Sequence, residues 1–410
     1  MLVKGKYLKV LGLTLALGLM ASTAFAKPEM TNKNVLDEYA KATMQKKSVA
    51  LGYPCSQELQ LTGFYKWLLK SKLDTAMINN AGDPWSDHAH VHALKFEKEV
   101  LEYFGPKYGF TKDELWGLVS FSGTDGNNHG IYFGTNYLRN VTGQDPIVYI
   151  SKEAHYSNMR LCDLQNLEFK MIDTDQYGRM LPEAFEKALD PARPALVVYA
   201  MGTTFKGAMD DQAKLNAIIA KKKPVAVYRH VDAALFGGYL PYTNMKALVD
   251  KNVQHYDSIA VSGHKFLGMD EPSGLFLTTK EVLKKQKAFD IPYLNAEMPM
   301  INCSRSATSP LKLWWLINNG GDARWTKEAG EMMATTAWLC EQLKAMNYPY
   351  FAGEASNTVY MKRPSAAICA KYGLATDYDK RLGGELAHVI VMQHVDKKLL
   401  QQFLDDLKKE

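Results

Sequence analysis

The chain has 410 residues, 47% of them hydrophobic and 23% charged, with no low-complexity tract, which excludes a disordered, collagen-like or small disulfide-scaffold protein. Its net charge of +5 is too small a bias to point to nucleic acid. At about 150 residues per domain, the length suggests two or three domains, much of them in one large core.

In chain order, Lys4, Lys6 and Lys9 precede an apolar run from Val10 to Met20, followed by small residues at Ala24 and Ala26. A basic start, a short apolar run and an A-x-A ending predict a signal peptide over residues 1–26, cleaved after Ala26, and so an exported, periplasmic protein. The run is shorter than the roughly 20 residues of a membrane span, so no stable span is expected after cleavage. Cleavage removes three lysines and no acids, lowering the net charge from +5 to +2. The five cysteines, Cys55, Cys162, Cys303, Cys340 and Cys369, are odd in number and form no CxxC or Cys/His cluster. Neither a metal site nor a disulfide framework is indicated, although one disulfide stays open.

Residues 27–75 read as an N-terminal helical segment around the turn-like Gly52-Tyr53-Pro54, and Ala81-Gly82-Asp83-Pro84 as a loop. A helix is expected over about 91–104. From about residue 115 strand-like and helical stretches alternate. The strands are placed at Ile147–Ile150, Leu167–Ile172, Ala195–Ala200, Val225–Val231, Ser258–Ser262 and Gly274–Thr278, with helices such as Pro182–Leu189 and Gln212–Ala220 between them. Apolar runs flanked by helices predict an α/β fold whose mostly parallel sheet is covered on both faces. This large domain is assigned to 76–300. The remainder, 301–410, reads as a small C-terminal α+β domain: helices around 311–317 and 327–346, a strand at Ala387–Met392 and an amphipathic final helix.

Ligands of open α/β sheets gather beyond the carboxyl ends of the strands. There the sequence places His155, Gly202-Thr203-Thr204, Asp232 and Ser262-Gly263-His264-Lys265. A Gly-rich turn, Ser122-Gly123-Thr124-Asp125-Gly126-Asn127, precedes them. Alone, each has a plain structural explanation: a capping acid, a hydrogen-bonded histidine, a solvated lysine, a tight turn. Together, an acid, a lysine, a histidine and a Gly-rich turn at one sheet edge suit pyridoxal 5'-phosphate. That cofactor needs a lysine for a Schiff base, an acid at its ring nitrogen, a flat partner for the ring and donors for its phosphate.

On these residues the sequence resembles the group II pyridoxal-phosphate-dependent amino-acid decarboxylases, nearest the histidine decarboxylase branch and close to the serine decarboxylases. The resemblance runs from Gly52-Tyr53-Pro54 to the C-terminus. It rests on Asn79 to Pro84, Phe96 to Val100, Ser122 to Asn127, His155-Tyr156-Ser157, Gly202-Thr203-Thr204, Asp232-Ala233-Ala234, Ser262 to Phe266 and Ala387 to Met392. It implies fold type I of the PLP-dependent transferases, with a seven-stranded-type sheet, and a homodimer. Lys265 resembles the Schiff-base lysine, Asp232 the partner of the ring nitrogen, and His155 the histidine that stacks on the ring and borders the substrate. Gly123, Thr124, Ser262 and His264 resemble the phosphate binders. Thr204 is expected at the ring edge, and Asn80 in a loop lining the substrate entrance.

Two segments depart from the pattern. Ser304-Arg305-Ser306-Ala307-Thr308 stands where the branch has Ser-Arg-Asn-Gly-His, and Asp270-Glu271-Pro272-Ser273-Gly274 where it has Pro-Met-Pro-Cys-Gly. Asp270 and Glu271 are expected in solvent, the other reading being that they face a cationic substrate. The implied reaction is decarboxylation of an L-amino acid, histidine first and serine next. A non-catalytic exported homologue that binds cofactor or amino acid is the reading from another class.

Overall fold

Runs such as Ala-Leu-Val-Val-Tyr-Ala at 195–200 and Ser-Ile-Ala-Val-Ser at 258–262 are buried along their whole length. Only a sheet covered on both faces accommodates such strands. The computed structural model describes residues 33–88, 90–292 and 296–410; the expected signal peptide lies outside the described residues. Helix α1 (Lys33–Lys47) belongs to a first unit ending at Ser48, and Val49–Glu410 form the second.

In the second unit, α2 (Thr62–Lys70), β1 (Asn79–Asn80) and α3 (Leu94–Phe104) lead into the alternating stretch. This runs β2 (Leu115–Ser120), α4 (Gly123–Thr142), β3 (Ile147–Ser151), α5 (Ser157–Leu164), β4 (Phe169–Ile172), α6 (Pro182–Ala188) and β5 (Ala195–Ala200). It continues with α7 (Gln212–Lys222), β6 (Val227–Asp232), the short α8 (Phe236–Tyr239) and α9 (Lys251–Gln254), β7 (Ser258–Ser262) and β8 (Gly274–Thr279). Strands β2 to β8 make one seven-stranded sheet in the order β2-β8-β7-β6-β5-β3-β4. Only β8 runs against its neighbours, β2 and β7; the other pairings are parallel.

Along β5 the side chains alternate between two cores. Val197 and Tyr199 join one with Val231 and Ile259, while Leu196 and Val198 join the other with Tyr228 and Phe276. This is the two-residue period of a strand covered on both faces. Helix α4 covers the second face at unusually close range. Gly126, Gly130 and Gly134, spaced four apart, share one side of the helix. A Cβ there would meet Ala260 at 2.9 Å, His230 at 2.2 Å and Tyr228 at 2.5 Å. This close seat fixes where the start of α4 falls, just beyond the ends of β6 and β7.

After β8 come α10 (Lys280–Leu283), β9 (Phe289–Ile291), β10 (Ala296–Met298), β11 (Arg305–Ser306), α11 (Thr308–Asn318) and α12 (Gly321–Ala345). The chain ends with β12 (Tyr350–Ala352), β13 (Thr358–Lys362), α13 (Ala366–Tyr372), β14 (Ala375–Asp379), β15 (Gly384–Ile390) and α14 (Lys397–Leu407). Strands β12 to β15 form an antiparallel sheet in the order β12-β13-β15-β14. That sheet begins at Tyr350, whereas α11 packs on α3 and β11 pairs with β1. Strand β2 was not among the expected strands, and α12 starts at Gly321, earlier than the expected 327.

Residues 50–57 form a strap between the two sheets. Leu51 donates to the Tyr372 carbonyl (3.0 Å) and accepts from Ile390 (2.7 Å), and the Ser56 N–H reaches the Lys265 carbonyl at 3.5 Å. All five cysteines are free thiols. Among the described residues no helix is long and apolar enough to cross a membrane.

Candidate active site

The carboxyl ends of β2, β3, β6 and β7 converge on a cavity of about 110 Å³. Its lining is Ser122, Gly123, Thr124, Asn127, His155, Asp232, Ala234, Ser262, His264 and Lys265. Seven residues singled out from the sequence thus meet in one place: His155, Asp232, Lys265, Gly123, Thr124, Ser262 and His264.

One wall is the start of α4. Ser122 caps the helix by accepting the Asp125 N–H at 3.1 Å, while the Asp125 carboxylate takes the Phe121 N–H at 2.9 Å. This is a variant of the capping box, with Asp125 reaching one residue before the cap, and it is readable as Ser122-Gly-Thr-Asp125. It leaves the N–H groups of Gly123 and Thr124 without intrahelical acceptors, at the positive end of the helix dipole. Asn302 and His129 also face Asp125, at 2.7 Å and 3.5 Å. These partners outweigh burial and hold its carboxyl below the ordinary carboxylate range. Gly123 must be glycine for space, since a Cβ there would stand 2.4 Å from Ser262 Oγ.

The titratable groups line the rest of the cavity. Asp232, the last residue of β6, is buried; its carboxylate accepts from Asn158 Nδ2 at 3.1 Å and from the Ala234 N–H at 3.3 Å. Lys265, three residues beyond β7, has its pKa lowered by burial, with Asp232 and Cys55 pulling the other way. Lowering favours the neutral amine, the nucleophilic form. His155 is likewise lowered, first by burial and also by Lys265, with Asp232 opposing. Its Nδ1 lies 2.7 Å from Ser157 Oγ, so the ring is held from one edge and stays neutral near pH 7. His264 Nδ1 sits 3.0 Å from the Ser273 carbonyl, and burial lowers that histidine too.

Two expected residues lie elsewhere. Thr204 is exposed and does not line the cavity. Its neighbour Thr203 is turned inward, but spends its hydroxyl on the Ala208 N–H at 3.0 Å. Asn80 is buried in a structural network rather than at an entrance: it donates to Glu97 at 2.8 Å and accepts the Ala93 N–H at 2.7 Å. Arg305, from the altered 304–308 segment, completes that network with bonds of 2.9 Å to Glu97 Oε2 and 3.1 Å to the Gly82 carbonyl. Asp270 is exposed and Glu271 partly so, as expected, and neither lines the cavity; both also pair with Lys312 on α11, at 2.8 Å and 3.3 Å.

Sequence reasoning missed Ser122, Asn127 and Ala234 in the lining, Asn158 behind Asp232 and Cys55 beside Lys265. The first three stand inside motifs already noticed, and the capping box alone would have found Ser122. Nothing local marks Asn158 or Cys55.

Similar proteins identify the family. The pyridoxal-dependent decarboxylase conserved domain matches residues 136–353. Serine decarboxylase 1 of Oryza sativa subsp. japonica is 30% identical over 387 residues, 92% of this chain and 76% of that protein. Histidine decarboxylase of Morganella morganii is 28% identical, covering 92% of this chain and 97% of its own. Among solved structures, an L-methionine decarboxylase from Streptomyces sp.590 superposes with a TM-score of 0.81 at 22% identity, over 94% of this chain and 97% of that one. The cavity fits pyridoxal phosphate on its own terms: unpaired N–H donors for a dianion, an amine and a carboxylate, and a cradle that a Cβ at 123 would fill. The chain belongs to the pyridoxal-dependent decarboxylase family and is a pyridoxal-phosphate-dependent amino-acid decarboxylase.

Proposed function

We propose that the protein converts L-histidine to histamine and carbon dioxide, with Lys265, Asp232 and His155 at the reacting centre. The observation that carries the reading is the meeting of those three side chains in one cavity with the open N-terminus of α4. When bound, pyridoxal phosphate supplies a ring that accepts the electron pair released as the Cα–carboxylate bond breaks. The residues here prepare that chemistry. Lys265, its pKa lowered by burial toward the neutral amine, would bond the cofactor's aldehyde. Asp232, oriented by Asn158, holds a proton on the ring nitrogen. His155 presents a neutral face to the ring. Gly123, Thr124, Ser262 and His264 take the phosphate, with Ser122 fixing the helix start.

Histidine is favoured by the match to the Morganella enzyme over nearly its full length. The second reading, L-serine to ethanolamine, is favoured by the 30% identity to the rice serine decarboxylase. The proposal includes a homodimer, as the family resemblance implies, and export directed by residues 1–26; the mass of the secreted chain tests the cleavage after Ala26. The activity is tested on purified protein with added pyridoxal phosphate, by following visible absorbance and carbon dioxide as histidine and then serine are supplied. Carbon dioxide from histidine alone is the expected result. Release from serine alone replaces the substrate, and release from neither overturns both.

A further inference from the structure

Lys206 has no part in the cavity, yet its side chain is 1% exposed. A buried lysine is costly unless its charge is answered. Here two carboxylates answer it, from parts of the chain far apart in sequence. Nζ lies 2.7 Å from Glu153 Oε1, in the loop after β3, and 2.7 Å from Asp379 Oδ2, at the end of β14. Arg381 closes the cluster, pairing with Asp379 at 2.7 Å and approaching Glu153 at 3.5 Å. The same guanidinium donates to the Thr174 carbonyl at 2.7 Å.

Glu153 stands two residues before His155. Its own N–H bonds Ser151 Oγ at 3.2 Å, and the loop re-enters regular structure when the Asn158 N–H takes the His155 carbonyl at 3.0 Å. Within this stretch Glu153 is held by Lys206 at 2.7 Å and approached by Arg381 at 3.5 Å, beside the Lys152–Asp173 pair and the local bond of His155 to Ser157. Of these, the Glu153–Lys206 pair is the buried tie to a distant part of the chain. Loops of this kind ordinarily move. A buried ammonium between two carboxylates restrains Glu153, and with it the loop.

Resting on the reading of His155 as the residue that faces the cofactor ring, we propose that Lys206 is a positioning residue. Clamped between Glu153 and Asp379, it holds the His155 loop against the cavity and couples that loop to the C-terminal sheet.

The test compares Lys206→Met, Glu153→Ala and His155→Ala in the holoenzyme. Three quantities are read: the circular dichroism of the bound cofactor, its dissociation constant, and kcat and KM separately. Lys206→Met should change the cofactor dichroism and weaken cofactor binding roughly threefold to tenfold, the range of one lost ring contact. It should also lower kcat by up to about 100-fold, the scale of a small misplacement. Lys371→Met, which breaks a surface pair with Asp406, should leave all three unchanged. A folded Lys206→Met protein with normal dichroism and cofactor affinity overturns the proposal. If that variant does not fold, Glu153→Ala decides, because it removes the acceptor on the loop side and leaves Lys206 paired with Asp379. An unaltered cofactor signal there overturns the proposal equally. Should His155→Ala leave the signal unchanged, the reading of His155 fails and the proposal falls with it; a change in His155→Ala alone refutes only the Lys206 link.

Discussion

Lys265 and Asp232 follow neighbouring strands but serve separable purposes, so their substitutions should separate too. Lys265→Ala removes the amine and should abolish both the visible band and turnover. Asp232→Asn keeps the shape and leaves the phosphate contacts untouched. It should therefore bind cofactor while turnover falls by on the order of 100- to 1000-fold, as when one charge-stabilising partner is lost; titration with pyridoxal phosphate and a carbon dioxide assay distinguish the two. Gly123 tests the phosphate site of the cavity. With Ser262 Oγ only 2.4 Å from a new Cβ, Gly123→Ala should raise the pyridoxal phosphate concentration for half-saturation about tenfold. The Schiff-base chemistry of the fraction that does bind should be unchanged. Cofactor affinity that is unaltered in Gly123→Ala would remove Gly123 from the phosphate site.

Among the elements, the two short strands β1 and β11 explain most of what the linear sequence concealed. They bring Asn79–Asn80 against Arg305–Ser306, and the buried Glu97–Arg305 pair, each side chain 1% exposed, locks them onto α3. Arg305→Met should cost about 3–5 kcal/mol, because Glu97 is left buried without its countercharge; the shift in denaturant midpoint measures it. Asn80 spends its side chain in this lock, which no local pattern at 79–84 could reveal, since Ala93 and Glu97 lie beyond the motif and Arg305 far along the chain. The alternation of strands and helices was legible because buried runs and amphipathic stretches have different periods. Strand β2 was harder to see because Gly117 interrupts it. That glycine is required where a Cβ would meet the Phe276 carbonyl at 2.3 Å. Periodicity carries no strand direction either, so the reversal of β8 rested on residues 263–273, which hold no crossover helix. His155, Asp232 and Lys265 could be found because each follows a readable strand. Thr204 could not be placed in this way, because Gly202, at φ 98°, breaks the strand pattern before it and the residue falls in the turn that the Gly207 N–H closes on the Thr203 carbonyl at 2.9 Å.

On the scale of the whole molecule, pH acts through buried groups beneath the sheet edge. His230, enclosed under α4 between Ser258 at 2.8 Å and Asn127 at 3.0 Å, has its pKa lowered by burial from 6.5 to about 4. As pH falls through 6.5 the unfolded chain takes up a proton there that the folded chain refuses. Stability present above pH 6.5 is thus lost progressively down to pH 4, by about 3 kcal/mol in all. Asp210 runs the other way. It is buried against the Met180 and Ala200 N–H groups, both at 2.8 Å, and burial raises it from 3.8 to about 6. The folded chain protonates Asp210 first, which adds stability as pH falls from 6 toward 4. In that window the two contributions oppose each other, and the stability of the wild-type protein should change little on their account. His230→Gln keeps polar atoms for Ser258 and Asn127 but cannot titrate. Relative to wild type, its unfolding free energy should rise by about 3 kcal/mol between pH 7 and pH 4. Denaturant titrations of both proteins across that range measure the difference, and a pH-independent difference would mean that His230 takes up its proton equally in the folded and unfolded chains, so that burial does not lower its pKa.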